Sequence, residues 1–256
     1  MRNNSYKVLL ILITNNKGNM KKIIMGLTVL LFSTVSANAV SLPSFTENLS
    51  LTAGLAANQG VFGGTAKETN RDDSDVIKRV NKESGVFTDS YTSQFIELGL
   101  GQWISLGYEH TPDSISTPQN VNSGRGVDTA KVSVDFNELN TTYVKLNMPF
   151  MSGLYVKAGS VETDLDIKET MASGSTYKNV STSGSMMGVG YQTYFKETGF
   201  GLRFEGSYME FDNVSTSNGV AADGATAANS GQNLVDASNL EGLAGKLAVT
   251  YTFGRN

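Results

Sequence analysis

Few side chains in this sequence are placed to do chemistry. His110 is the single histidine, in Glu109-His110-Thr111 before Pro112. A histidine paired with a serine or an aspartate would suit hydrolysis of a lipid or a peptide. No recognisable pattern of either kind surrounds it, so the plainer reading is a histidine at a strand end. Glu162, Asp164 and Asp166 share one face of an alternating segment. Three carboxylates could hold a divalent cation, and a solvated strand extension is the ordinary alternative. Asp72-Asp73-Ser74-Asp75 precedes Lys78-Arg79, acids before bases, the order that suits the opening of a short helix. It lacks the glycine and distal glutamate of a calcium loop, and a solvated loop is the simpler reading. Gly99-Leu100-Gly101 and Gly184 to Gly190 are glycine-rich, but no helix pattern follows to make a phosphate cradle. The chain has no cysteine, which excludes thiolate catalysis, disulfides and cysteine-based zinc sites. The expectation is no catalytic residue, no metal and no cofactor.

The elements that carry these residues have a period of two. In Leu240 to Phe253, the residues Leu243, Leu247, Val249, Tyr251 and Phe253 fall on one parity, and Ala244, Lys246, Ala248, Thr250 and Thr252 on the other. That pattern is a strand with one apolar and one small, polar face. Seven more alternating segments precede it, near 47–57, 91–98, 102–110, up to Met148, 154–166, 183–195 and 200–211. Short connections at 99–101, 149–153 and 196–199 alternate with long ones near 58–90, 112–127, 167–182 and 214–239. The stretch 127–148 is ambiguous. Val132, Val134, Phe136, Thr142, Val144, Leu146 and Met148 share one parity, as in one long strand. A hairpin near Asn137-Glu138 would instead lead toward ten strands.

Ahead of the strands, Met20-Lys21-Lys22, an apolar run over 23–32 and Ala37-Asn38-Ala39 have the layout of a secretory signal peptide. Residues 1–19 read as an upstream extension, 20–39 as the signal peptide and 40–256 as the mature domain. That domain has 15 basic and 24 acidic residues, a balance of −9, which argues against nucleic acid. No other stretch is apolar enough for a membrane helix. Glycine is abundant (27) and proline rare (4), as strands with close backbone contacts require.

Long loops at one end and tight turns at the other match a transmembrane barrel. The expected fold is all-β, an antiparallel up-and-down transmembrane β-barrel of eight strands, with long outer loops and short periplasmic turns. Phe150, Phe195, Phe200, Tyr251 and Phe253 cluster beside the short turns and the terminus as an aromatic girdle. Tyr108, Tyr208 and Phe211 lie nearer the long loops, a second level. The apolar face then meets lipid. Glu97, Glu109, Lys145, Lys157, Arg203, Glu205 and Lys246 fall on the inner parity. Seven charges in a lumen about one side chain wide should pair into a network and plug it.

The final strand resembles the C-terminal signature of bacterial outer-membrane barrels, although Gly254, Arg255 and Asn256 follow its aromatic Phe253. Topology and alternation over 40–256 resemble the transmembrane domain of OmpA and the OmpX and opacity-protein groups. The resemblance implies a Gram-negative outer membrane, with lipid and lipopolysaccharide as surroundings and the barrel-assembly machinery engaging the C-terminal strand. It carries over no catalytic residue. The leading function is a non-enzymatic barrel acting through its surface loops, whose sequence names no ligand, or in envelope integrity. A small-solute porin and, further off, an outer-membrane enzyme are the alternatives.

Overall fold

The computed structural model describes residues 49–72, 76–123, 129–148, 151–170, 176–195, 198–219 and 231–253. The signal-peptide segment and Phe150 lie outside the described residues. Among the described residues eleven strands are formed: β1 (Leu49–Arg71), β2 (Ile77–Leu100), β3 (Ile104–Thr111), β4 (Ile115–Ser116), β5 (Asn120–Ser123), β6 (Thr129–Asn147), β7 (Leu154–Thr170), β8 (Val180–Tyr194), β9 (Phe200–Phe211), β10 (Val214–Ser217) and β11 (Asn233–Phe253). Eight of them close a ring in the order β1-β2-β3-β6-β7-β8-β9-β11, and β11 pairs back to β1 from Leu51↔Phe253 upward. Every pairing is antiparallel. The three short strands are appendages: β4 and β5 on β6, and β10 on β11.

The wall has the expected two faces. Leu51, Leu55, Ile96, Leu98, Phe204, Leu243, Leu247 and Val249 are exposed on the outside. Between them, Thr52, Ala56, Phe95, Glu97, Arg203, Ala248 and Thr250 are buried in the lumen. An apolar outer band over a polar interior is the inverse of a soluble barrel and fits a lipid surround. Gly101, Gly153 and Gly199 take positive φ beside the tight turns, where a side chain would be strained.

The strands run much further than the alternation suggests. β1 has 23 residues and β2 has 24, about twice the 9–11 that a tilted strand needs to cross a bilayer. Most of 58–90, read from sequence as a loop, is thus a β1–β2 hairpin standing above the apolar band. Lys78 and Arg79 lie in β2 rather than opening a helix, and Lys78 pairs with Asp72 at 2.7 Å.

Two bulges reorganise the upper barrel. On β6 the register jumps from Asn137↔Asp164 to Asn140↔Glu162, and Glu138 sits at φ 50°. Thr129–Asn147 is therefore one strand without a hairpin, and the irregularity at Asn137-Glu138 is one extra residue. On β11 the pairing passes from Gly63↔Glu241 to Thr65↔Ser238, and Asn239 sits at φ 53°. A one-residue bulge turns every later side chain to the opposite face. Below it β6 sends Leu139, Thr141, Tyr143 and Lys145 inward; above it Phe136 packs into the lumen core. The two bulges lie on strands four places apart in an eight-membered ring, on opposite sides of the barrel.

One seam in the upper wall has no ladder. β2 pairs with β3 only from Gln94↔His110 downward. Among the described residues no backbone ladder joins β2 above that point to β4 or β5. Side chains bridge it instead. Asp113 accepts from the Thr92 amide (2.8 Å) and hydroxyl (2.6 Å), Asp89 from the Ser116 amide (3.0 Å), and Glu83 from the Asn120 amide group (2.6 Å).

Candidate functional site

The lumen has two layers. The lower one holds all seven inner-parity charges, contributed by six of the eight ring strands. Glu97 on β2 receives both Arg203 nitrogens, at 2.6 and 2.7 Å, and Lys145 at 2.5 Å. Lys157 lies 2.6 Å from Glu205 and 3.3 Å from Glu109. Lys246 lies 2.6 Å from Glu109 and 3.2 Å from Glu205. Glu97 and Arg203 are each only 1% exposed. A bidentate guanidinium–carboxylate pair at these distances is the strong, directional kind.

Neutral groups complete the cluster. Tyr143 donates to Glu97 at 2.8 Å, Tyr155 to Glu205 at 2.7 Å and Ser93 to Glu109 at 2.7 Å. Gln192 accepts from Arg203 at 2.7 Å and donates to Thr250 at 3.3 Å. The cations also lie over rings: Lys157 is 4.3 Å from the Tyr143 centroid, and Arg203 is 4.5 Å from Phe95. Each ring has room because its cross-strand partner is glycine: Phe95 over Gly54, Tyr143 over Gly107 and Tyr155 over Gly190. A Cβ at any of these glycines would fall 2.2–2.3 Å from the ring or its hydroxyl. The sequence reading missed Tyr143, Tyr155, Phe95, Ser93 and Gln192. Their signal was inner parity, and choosing them further required the register that sets ring against glycine.

The upper layer, at and above the bulges, is apolar. Phe62, Phe87, Phe136 and Phe211 form an arc with centroid separations of 5.5 Å for Phe62–Phe87 and 6.3 Å for Phe87–Phe136 and Phe136–Phe211. Leu139 and Leu240, each following a positive-φ residue, turn into the same cluster. Phe211, assigned from sequence to an outer aromatic level, is 6% exposed inside the lumen, on the parity of Arg203 and Glu205. Above this layer Tyr177, between β7 and β8, reaches Glu68 on β1 at 3.4 Å, nearly across the mouth. Burial and then Glu68 push the Tyr177 hydroxyl up to about 12.

The other sequence-derived candidates lie apart. His110 Nδ1 is 2.8 Å from Asn140 Oδ1, which also accepts from Tyr108 at 2.8 Å. Glu162, Asp164 and Asp166 share the outer face of β7. Asp164 accepts from Ser181 at 2.6 Å, and Asp166 from Asn137 at 2.7 Å and Asn179 at 2.8 Å. Among the described residues no group of His, Cys, Asp or Glu converges as a metal site. Asp135 is bonded to Lys168; burial pushes its carboxyl up, but the Lys168 and Ser116 contacts outweigh this and hold it below its ordinary value. The Thr92 hydrogen bonds likewise hold Asp113 down. Of the aromatics that the sequence assigns to a girdle, Phe195, Phe200 and Phe253 are about half exposed (51, 49 and 55%). Tyr251 packs edge-on against Phe200 at 4.9 Å and Phe253 at 4.5 Å.

A closed eight-stranded antiparallel ring with an apolar belt and a charged interior defines a small β-barrel of the outer-membrane type. No protein-family model matches the chain, and no curated protein does. Solved structures match by fold. The outer-membrane protein OprG of Pseudomonas aeruginosa aligns with a TM-score of 0.50 and 13% identity, over 78% of this chain and 96% of that one. Ail of Yersinia pestis aligns with a TM-score of 0.34 and 10% identity, over 77% and 98%. The outer-membrane protease OmpT of Escherichia coli aligns with a TM-score of 0.39 and 12% identity, over 79% and 97%. At these identities the likeness is one of architecture.

Proposed function

We propose that this protein is a non-enzymatic barrel of the bacterial outer membrane whose lumen is closed by its charge network, and that it acts through its projecting hairpins or in envelope integrity. The observation that carries this reading is the cluster of Glu97, Glu109, Glu205, Lys145, Lys157, Arg203 and Lys246. Three anions and four cations from six strands fill one level of the lumen, with ion-pair distances from 2.5 to 3.3 Å. An eight-stranded barrel has an interior only wide enough for side chains. Solute passage would require separating buried pairs, and a buried charge left without its partner costs about 3–5 kcal/mol.

In this reading the protein reaches the outer membrane after removal of residues 20–39. Its apolar belt meets lipid and lipopolysaccharide, and the assembly machinery engages β11. The non-enzymatic assignment draws support from the Asn140 amide that occupies His110. Liposomes carrying the purified barrel should swell no faster in a small sugar than protein-free liposomes. Fast swelling would favour the porin alternative. Loss of a lipid- or peptide-hydrolysing activity in His110→Ala would favour an enzyme.

A further inference from the structure

Above the plug lies a cavity of about 500 Å³, within the range of small-molecule sites. Phe62, Phe87, Phe136, Leu165, Phe211 and Leu240 are among the apolar residues of its wall. Its lining includes Glu83 and Glu241 and contains no lysine, arginine or histidine. We propose that this chamber is a binding site for an uncharged, apolar small molecule.

Three features of the fold carry the proposal. The chamber is built by backbone devices: the bulges at Glu138 and Asn239 exchange the inner face from polar to apolar on opposite sides of the barrel. Both residues are non-glycine at positive φ, a conformation that costs roughly 1–2 kcal/mol per residue. A barrel needing only a plug has no use for that cost. Second, the wall is mostly apolar, and along that part of it water finds few polar partners. Third, the charge pattern selects the occupant. A carboxylate- or phosphate-bearing molecule would meet Glu83 on the inner parity of β2 and no cation in the lining. Glu83 is already engaged by Asn120 at 2.6 Å, which leaves it a poor partner for a cationic head. The seam between β2 and the β4–β5 segment borders the chamber at Glu83 to Phe87 and Thr117 to Asn120, giving an apolar molecule a way in beside the polar mouth.

The test is photolabelling of the full barrel in nanodiscs with a diazirine-bearing decanol and, in parallel, the matching decanoic acid. Adducts are located by mass spectrometry. The alcohol should label Phe136, Leu165 or Phe211, and the acid should label them about tenfold less, the factor that 1.4 kcal/mol represents. Leu165→Trp, which fills the chamber without adding polarity, should remove the lumen adducts and leave those at lipid-facing Leu55 and Val249. Val134→Phe fills it from another strand and serves if Leu165→Trp does not assemble. Adducts confined to lipid-facing residues, equal labelling by the acid, or full labelling in a filled variant that assembles would each overturn the proposal. None of these outcomes depends on whether the plug below conducts.

Discussion

Replacing Glu97 by leucine removes the carboxylate that receives Arg203 twice, Lys145 once and the Tyr143 hydroxyl once. Arg203 and Lys145 then remain in the lumen with side chains only 1% and 5% exposed, and their nearest carboxylate is gone. Stranding a buried charge costs about 3–5 kcal/mol, and two cations share the loss here, so the single variant should lose at least about 3 kcal/mol. The double variant Glu97→Leu with Arg203→Met removes the strongest pair together and leaves only Lys145 to re-partner. It should recover more than half of the loss, because a well-packed apolar pair can replace a buried ion pair at little cost. Trp103, the single tryptophan, is 49% exposed beside the β2–β3 turn and reports unfolding by its emission. Urea titration of the barrel in lipid vesicles gives the stabilities directly. A single-variant loss below about 1 kcal/mol, the range of exposed ion pairs, would refute the claim that these charges are buried and mutually dependent. So would a double variant less stable than the single.

Val249 is 53% exposed on the outer face and its neighbour Ala248 is 1% exposed inside. A spin label at 249 should therefore be quenched by a lipid-soluble relaxer far more than one at 248, and Val249→Arg should cost roughly 2–4 kcal/mol in vesicle unfolding if the site lies near the midplane. Glu138→Gly relieves a left-handed conformation and should stabilise the barrel by up to about 1 kcal/mol; a loss in the same unfolding assay would count against the bulge at that residue. At the seam, Asp113 titrates below its ordinary value because Thr92 donates to it twice. A depressed folded pKa means the contribution is present above the unfolded pKa and lost as pH falls through the folded one. The intrinsic-rate-corrected hydrogen-exchange protection of the Thr92 amide should thus hold at neutral and mildly acidic pH and fall only below the ordinary carboxylate range. Asp113→Asn should weaken that protection at neutral pH and remove its fall at low pH.

The barrel's membrane-spanning part was legible because it obeys one rule. Lipid outside and side chains inside impose alternation, so Val249 against Ala248 and Leu202 against Arg203 could be sorted by parity alone. The seven inner charges fell out of the same rule. The upper part was illegible for a related reason. Where β1 and β2 rise above the apolar belt, their outer face meets water, the alternation fades, and a hairpin of regular strand looks like a loop. The bulges are harder still. Val132, Val134 and Phe136 share a parity with Thr142, Val144 and Leu146; Asn137-Glu138 reads as a candidate turn, but nothing in the sequence tells a turn from one inserted residue that reverses the facing. Asn239 has the same effect on β11. The chamber could not have been read without that reversal, since its wall is assembled from residues that parity assigns to opposite faces. Tyr143 and Tyr155 needed the register, because only pairing sets them against Gly107 and Gly190.

Single-channel recording in a planar bilayer tests the closed lumen most directly. With Glu97, Arg203 and their neighbours paired, the wild-type barrel should give no steady conductance, and Glu97→Leu, if assembled, should give intermittent openings as Arg203 and Lys145 lose their anchor. Large, long-lived open-channel currents from the wild-type monomer would contradict the account.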